Sequence, residues 1–160
     1  MSENLKTIGV GLYWDQLSEG DRFKTLNRTI TEPDIVNFIG VTGMVETLFT
    51  DLSFTEDHGV MKGRVVPAAC TYTMIEGLLC QSTMQTTGLA LLEVEKKVLK
   101  PVFAGDTVHA EVTVTGVRPT SKGNRGIVTT QNDIKNQHGD TVITYRAVRM
   151  MAGSPRDDEE

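Results

Sequence analysis

The segment VVPAACTYTMIEGLLCQS, residues 65–82, decides the fold. Pro67 suits the first turn of a helix, where its missing N–H group costs nothing. The apolar and small positions that follow nearly encircle a helix rather than marking one stripe; they are Ala69, Cys70, Tyr72, Thr73, Met74, Ile75, Leu78 and Leu79. A helix that is apolar on most sides is expected to be buried on most sides. The segment therefore predicts a central helix around which the rest of the chain must pack.

Strand patterns follow this helix to the end of the domain. Residues 107–115 alternate between polar and apolar side chains, which is typical of an antiparallel strand with one buried face. Turn sequences at Gly105-Asp106, residues 122–124 and Gly139-Asp140 separate the runs. The sequence predicts four long strands, at residues 89–102, 106–119, 125–137 and 140–151.

The chain before the central helix predicts one strand, one helix and a long loop. A strand is expected at about residues 23–30. Thr31 suits an N-cap and Gly43 a C-cap, so a helix of about three turns is expected between them. Residues 44–64 show no sustained period and predict a loop with one helical turn near residues 52–54. An antiparallel sheet packed on a central helix, in the α+β class, satisfies all of these elements.

Length and composition indicate one globular domain. The chain has 160 residues, 39% hydrophobic and 23% charged, so we expect a single domain at residues 1–152 and a disordered acidic tail at residues 153–160. The net charge of −5, without a long basic run, argues against nucleic acid or an anionic membrane as a partner.

The ends and the two cysteines suggest a compartment. No basic start with a long apolar core appears at the N-terminus, and no segment approaches the length of a membrane span, which predicts a cytoplasmic protein. Cys70 and Cys80 are too far apart along one helix for a disulfide. Both are expected to be small core residues in a reducing compartment.

Four stretches of the chain, in their order, resemble the MaoC-like dehydratase family, which includes the (R)-specific enoyl-CoA hydratases. They are YWDQLSEGDRFKTLNRTITEPDIVNFIGVTG (13–43), GRVVPAA (63–69), KPVFAGDTVHAEVTV (100–114) and NQHGDTVITYRAVRMM (136–151). The resemblance covers roughly residues 13–150. It implies a hotdog fold, in which a curved antiparallel sheet wraps around a central helix. It also implies an acyl-CoA thioester as substrate, no cofactor apart from the coenzyme A of that substrate, and a homodimer or higher homo-oligomer.

The chain departs from the family at the acid-base signature. Hydratases of this family carry Ser-Gly-Asp, any residue, Asn-Pro, an aliphatic residue and His at the end of the first helix, and the Asp and His bind the catalytic water and move protons. In this chain the Ser-Gly pair is matched by Thr42 and Gly43. The positions of the Asp, Asn, Pro and His hold Met44, Glu46, Thr47 and Phe49. Pro67 and Ala68 stand where a His-Gly pair is frequent at the helix start, and there a backbone N–H group holds the thioester oxygen. The resemblance thus implies a divergent member without the Asp/His dyad.

Glu46 and His58 are the candidate catalytic residues that remain. Glu46 could take up a proton and return it, provided that its pocket is dry; alternatively it is a solvated loop carboxylate. His58, beside Glu56 and Asp57, could supply a base from the loop, or it is an exposed loop residue. Cys70 lacks a paired His, so we expect it to be unreactive.

The substrate pocket is expected at the end of the first helix and the start of the central one. Its predicted lining is Gly43, Met44, Val45, Phe49, Ala68 and Ala69. Residues that could meet CoA phosphates, or that simply form a charged sheet surface, are Arg64, Lys96, Lys97 and Lys100. No metal site is predicted, because no set of ligands completes a metal-binding spacing.

Three functions remain open on the sequence. The first is an enoyl-CoA hydratase or dehydratase with an atypical active site that uses Glu46. The second is a non-catalytic acyl-CoA-binding protein or partner subunit. A weaker alternative is an acyl-CoA thioesterase, since that chemistry also needs only one carboxylate and a helix N-terminus.

Overall fold

A computed structural model describes residues 5–58 and 61–155 of the chain. The predicted acidic tail lies partly outside these residues, from residue 156 onward. Within its described part, the Gly153 N–H donates to the carbonyl of Asn124 at 2.8 Å, and Ser154 hydrogen bonds to Asp15. The chain after the last strand is therefore tied to the short 3-10 helix at Trp14–Gln16, which contains Asp15.

The sheet contains the four long strands that the sequence predicts. In chain order the strands are β1 (Arg22–Lys24), β2 (Arg28–Thr29), β3 (Gly88–Val98), β4 (Thr107–Pro119), β5 (Arg125–Lys135) and β6 (Thr141–Ala152). Their spatial order is β1-β4-β5-β6-β3, with β2 also paired to β4, and every pairing is antiparallel. The helices are α1 (Glu32–Thr42), α2 (Thr47–Thr50), α3 (Leu52–Asp57) and α4 (Ala68–Ser82).

Two predictions before the central helix are wrong in detail. The strand expected at residues 23–30 is interrupted, because residues 25–27 leave the ladder. The Thr25 amide instead donates to the Ala110 carbonyl, and the Thr25 hydroxyl accepts from the Ala110 amide. The loop expected at residues 44–64 contains two short helices, α2 and α3. Asp51 begins the second of them by accepting a hydrogen bond from the Ser53 amide at 2.9 Å.

The predicted boundaries of α1 are confirmed. The Thr31 amide donates to the Asp34 carboxylate at 2.8 Å, which fixes the first turn. Hydrogen bonds from the Thr31 hydroxyl and amide, and to a smaller extent the contact with Arg28, hold the pKa of Asp34 below its usual value. Gly43 ends the helix with φ of 71°, a conformation that favours glycine. The helix buries Ile35 and Ile39 against the core.

Helix α4 is buried less evenly than its composition predicts. Its fully buried positions are Cys70, Thr71, Ile75 and Leu79, of which Cys70, Ile75 and Leu79 belong to the hydrophobic core shared with the sheet. Cys80 is exposed, so the prediction of two core cysteines is wrong for this residue. The reason is geometric, because position 80 lies on the side of the helix that faces a groove beside β3. Among the described residues, no helix is long and apolar enough to cross a membrane.

Strand β3 forms an edge of the sheet and carries exposed apolar side chains. It pairs with β6 on one side, and no other strand of the described chain pairs with its other side. Large apolar side chains along it are about half exposed, namely Leu89, Leu91, Leu92 and Val98. An apolar edge of this kind is a template for pairing with another chain.

A charged cluster lies between α4 and the sheet. The Arg149 guanidinium donates to both carboxylate oxygens of Glu76, at 2.6 and 2.7 Å, and the Tyr145 hydroxyl donates to the same carboxylate at 2.6 Å. Arg149 is 6% exposed and Tyr145 is 1% exposed. Burial, and then the Glu76 carboxylate, raise the pKa of Tyr145. Glu76 thereby joins the middle of α4 to strand β6.

We predict that Glu76→Leu lowers the free energy of unfolding by about 3 kcal/mol, because the change leaves the buried Arg149 charge unpaired. The double variant Glu76→Leu/Arg149→Leu should recover most of this loss, since both charges are then absent. Arg22→Leu is the control, because Arg22 and Glu111 form an exposed pair at 3.7 Å and its loss should cost less than about 1 kcal/mol. Urea unfolding at a fixed protein concentration measures all three variants. Equal losses for Glu76→Leu and Arg22→Leu would contradict the prediction.

Candidate functional site

An apolar groove lies at the N-terminus of α4, and we call it the α4 groove. Its volume is about 340 Å³. It is lined by Leu48, Phe49, Met61, Val65, Val66, Ala68, Val98, Leu99, Lys100 and Pro101. Three parts of the fold thus meet there, namely α2, the segment that enters α4, and the end of β3.

Backbone pairing fixes the entry to α4. Val65 forms an isolated bridge with Phe103, and the Val66 amide donates to the carbonyl of Val102 at 2.9 Å. The Pro67 carbonyl accepts the Cys70 amide at 2.8 Å, which closes the first turn. The amides of Ala68 and Ala69 donate to no acceptor in the described part of the chain. They are the free donors that a helix N-terminus offers to an anion or a polarised oxygen.

Arg64 connects the elements around the α4 groove. Its Nε atom lies 2.9 and 3.0 Å from the two carboxylate oxygens of Glu32, in the first turn of α1. Its Nη1 atom donates to the carbonyl of Phe49, in α2. The sequence offered Arg64 as a phosphate contact and missed this bridging role. The signal was a single charge within the otherwise apolar run GRVVPAA.

Phe49 and Ala68, both predicted to line the substrate pocket, lie in the lining of the α4 groove. Phe49 is 8% exposed and belongs to the main core. Ala69 follows Ala68 in the first turn and is half-buried. Phe49, which the resemblance predicts to stand in place of the family's His, therefore lies as a buried aromatic ring beside the helix start. This ring can shape the groove but cannot carry a proton.

Residues 43–46 are absent from the lining of the α4 groove. Gly43 is exposed at the end of α1, Met44 packs partly against the core, and Val45 is 72% exposed. Glu46 is exposed and precedes the first turn of α2. Its carboxylate has no hydrogen-bond or ion-pair partner in residues 5–58 and 61–155. The group is thus free to meet a ligand, and its catalytic role stays a prediction.

His58 ends α3 at the surface. Its Nδ1 atom lies 3.0 Å from the carbonyl of Phe54, and its ring stacks on the Phe54 ring with centroids 4.3 Å apart. His58 is exposed and does not line the α4 groove. The lining that contains Phe49 and Ala68 therefore includes neither Glu46 nor His58. The catalytic role of His58 also stays a prediction.

Charged groups near the α4 groove are few. Lys100 lines it and forms an ion pair with Asp140 at 2.6 Å. Lys96 lies over the Tyr72 ring, 4.5 Å from its centroid.

No group of three or more His, Cys, Asp or Glu side chains in the described residues could hold a metal ion. Burial raises the pKa of the Cys70 thiol to about 11, which leaves little thiolate at neutral pH.

A second groove runs between α1 and α4. It has a volume of about 420 Å³ and includes Arg28, Asp34, Cys70 and Thr73. Its charged groups are already engaged, because Arg28 and Asp34 pair at 2.9 Å. We call it the α1/α4 groove, and it offers no free helix N-terminus.

The chain is similar in sequence to a known family of domains and to part of a known enzyme. The model of the MaoC like domain matches residues 16–136. The mesaconyl-CoA hydratase of Cereibacter sphaeroides is 45% identical over 51 residues, which are 32% of this chain and only 15% of the length of that enzyme.

Two solved structures extend the likeness over nearly the whole chain. The MaoC-like dehydratase of Rhodospirillum rubrum is 26% identical and superposes with a TM-score of 0.77. The superposition covers 91% of this chain and 100% of that one. A conserved protein of Mycobacterium tuberculosis, described as a double hotdog fold, is 17% identical and superposes with a TM-score of 0.83 over 97% of this chain and 48% of that one. The chain has the hotdog fold, and it belongs to the MaoC-like domain family.

Proposed function

We propose that this chain binds an acyl-CoA thioester in the α4 groove and adds water to a 2-enoyl thioester there. The observation that carries the proposal is the helix start, where the amides of Ala68 and Ala69 are free beside an apolar groove. Family membership supports the same reaction class, as does the identity with a short part of a mesaconyl-CoA hydratase. Coenzyme A enters as part of the substrate, and the proposal requires no other cofactor.

The chemistry of hydration assigns a task to each part of this region. Negative charge develops on the thioester oxygen as water adds, and amide groups at a helix N-terminus stabilise such a charge without reorganising. The apolar walls that Phe49 and Val66 provide would exclude bulk water and strengthen this interaction. Because the stabilisation comes from the backbone, Ala68 can serve where the family frequently has Gly.

Proton transfer is assigned to Glu46. A carboxylate can take a proton from the attacking water and return it to the neighbouring carbon, so that one group performs both steps. Glu46 precedes α2, the helix that contributes Phe49 to the groove, and its carboxylate is unengaged by the described residues. His58 is the alternative base, supplied from the surface at the end of α3. In this reaction Met44 and Val45 would pack beside the substrate.

One observation favours a second candidate function. The lining of the α4 groove contains no carboxylate and no histidine, and its ionisable side chain is Lys100. A chain with this groove could bind acyl-CoA without converting it, as a binding protein or as a partner subunit. Thioester hydrolysis is a third candidate, and it would also use the unengaged Glu46.

We predict that Glu46→Gln keeps acyl-CoA binding but lowers the rate of 2-enoyl-CoA hydration by at least roughly 100-fold, as expected for the loss of a general acid/base. Glu56→Gln is the matched control, because Glu56 is also exposed in the same segment and should be dispensable. Absorbance of the enoyl thioester measures hydration, and calorimetric titration with acyl-CoAs of several chain lengths measures binding.

The outcomes separate the three candidates. Binding without hydration by the wild-type chain would favour a binding protein, and release of free thiol would favour a thioesterase. A Glu46→Gln variant as fast as wild type would transfer the catalytic role to His58, to be tested as His58→Gln. No binding to any acyl-CoA would remove all of these functions.

We also propose that the chain forms a homodimer through the free edge of β3. The supporting observation is the row of half-exposed apolar side chains along an unpaired strand, which includes Leu91 and Leu92. Pairing two β3 edges would continue the sheet across the dimer and remove this apolar surface from water. The end of β3 also lines the α4 groove, so each groove would lie close to the dimer interface.

Light scattering at micromolar concentration should give twice the mass of the chain for the wild type. Leu92→Lys should shift the mass toward that of a monomer, because it places a charge in the interface. Leu26→Lys is the control, since Leu26 is 83% exposed in the segment between β1 and β2. A monomeric wild type, or a dimer that Leu92→Lys leaves intact, would contradict the β3 interface.

A further inference from the structure

We propose that Tyr72 and Lys96 close one end of the α4 groove and restrict the acyl group that binds there to a short chain. The inference rests on the proposed function, because it assigns a substrate class to the same groove. The observation that carries it is a contact between α4 and β3, in which the Lys96 Nζ atom lies 4.5 Å from the centroid of the Tyr72 ring. A cation is attracted to the face of an aromatic ring, so this contact joins the helix to the strand.

The groove beside β3 that Cys80 faces lies farther along the same two elements, and we call it the α4/β3 groove. Its volume is about 320 Å³, close to the 340 Å³ of the α4 groove. It includes Glu76 and Cys80 of α4, and Leu89 and Leu91 of β3. The two grooves therefore lie between the same helix and the same strand.

Tyr72 lies between the two grooves on α4. It follows Ala68 by four residues and precedes Glu76 by four, so the three side chains form one row along the helix. Ala68 belongs to the α4 groove and Glu76 to the α4/β3 groove. The half-buried Tyr72 ring thus stands in the row where one groove ends and the other begins.

Lys96 has the corresponding place on β3. It pairs with the buried Tyr145 of β6, so its side chain leaves the strand on the inner face of the sheet. It follows Leu91 of the α4/β3 groove and precedes Val98 of the α4 groove. Its contact with Tyr72 therefore crosses the gap between strand and helix at the boundary of the two grooves.

The Tyr72 ring is held in place by the buried charged cluster. It packs edge-to-face against the Tyr145 ring, with the centroids 5.1 Å apart. The Tyr145 hydroxyl in turn donates to Glu76 at 2.6 Å, and Tyr145 is 1% exposed. A ring fixed in this way forms a firm wall, whereas the aliphatic stem of Lys96 covers it from the strand.

The direction of the acyl chain follows from the distribution of charge. Lys100 lies beyond the end of β3, on the side of the groove away from Lys96, and it forms an ion pair with Asp140. The charged coenzyme A is expected on this side, because burying its phosphates against apolar walls would be costly. With its carbonyl at the Ala68 amide, the acyl chain then extends along α4 toward Tyr72.

The distance from Ala68 to Tyr72 sets the length of the chain. Four residues of an α-helix span about 6 Å, and helical side chains tilt toward the helix N-terminus, which brings the ring closer to Ala68. A butyryl chain is shorter than this span, whereas an extended octanoyl chain is longer. The groove should therefore accept the first and exclude the end of the second.

Calorimetric titration with butyryl-CoA and octanoyl-CoA tests the inference without requiring turnover. The wild-type chain should bind octanoyl-CoA no more tightly than butyryl-CoA. Tyr72→Ala should bind octanoyl-CoA at least about tenfold more tightly than wild type does, since each buried methylene contributes roughly fourfold in affinity. Lys96→Ala should shift the preference in the same direction.

Two variants serve as matched controls. Tyr72→Phe keeps the ring and should keep the wild-type preference for chain length. Glu95→Ala truncates the neighbour of Lys96, which pairs with Arg146 and faces the opposite side of the sheet, so it should also leave the preference unchanged.

The wild-type titrations and Lys96→Ala decide the inference if Tyr72→Ala fails to fold. A wild-type chain that binds octanoyl-CoA tenfold more tightly than butyryl-CoA would overturn it and leave the acyl-CoA site intact. Folded Tyr72→Ala and Lys96→Ala variants with the wild-type preference would do the same. No binding of either thioester by any variant would contradict the proposed function itself, and this inference with it.

Discussion

The packing of α4 on the inner face of the sheet is the constraint on which the rest of the structure depends. Ile75 and Leu79 bury the helix against β4, β5 and β6, and Glu76 fixes it to Arg149 of β6. Hydrophobic contact makes the burial favourable but does not fix the helix along its axis, whereas a hydrogen-bonded ion pair, in which Arg149 Nη2 donates to both Glu76 oxygens, is directional. Together they determine where the first turn of α4 lies, and thus where its free amides point.

The candidate site follows from that placement. Once α4 is fixed, Ala68 lies beside the end of β3, and the Arg64 contacts bring α2 to the same place. Arg64 therefore ties the entry of α4 to α1 and α2 by polar contacts, and apolar side chains such as Phe49 and Val66 line the groove. The region offers two features that the proposed thioester site requires, namely free helix amides and an apolar wall. The proposed function assigns proton transfer to Glu46, with His58 as the alternative base.

The sequence predicted the parts of the fold that local pattern determines. The alternation in β4, the Thr31 and Gly43 caps of α1 and the glycine turns are short-range signals, and the structure confirms them. The break at residues 25–27 and the exposure of Cys80 were missed because they depend on which neighbour each residue meets, which composition does not encode. Periodicity alone likewise could not pair Glu76 with Arg149, although each is a lone charge on an otherwise buried face. At the site, Phe49 and Ala68 could be placed from the family motif, whereas the bridging role of Arg64 needed three-dimensional contacts.

The most direct test of this account is a crystal structure of the chain with a saturated carba(dethia)-acyl-CoA, in which a methylene group replaces the thioester sulfur. Because the carbonyl remains but cannot be hydrolysed, its position reports where the reacting oxygen binds. The account predicts the carbonyl oxygen within hydrogen-bond distance of the Ala68 or Ala69 amide, with the acyl group against Phe49 in the α4 groove. A ligand bound in the α1/α4 groove, or with its carbonyl away from the start of α4, would contradict it.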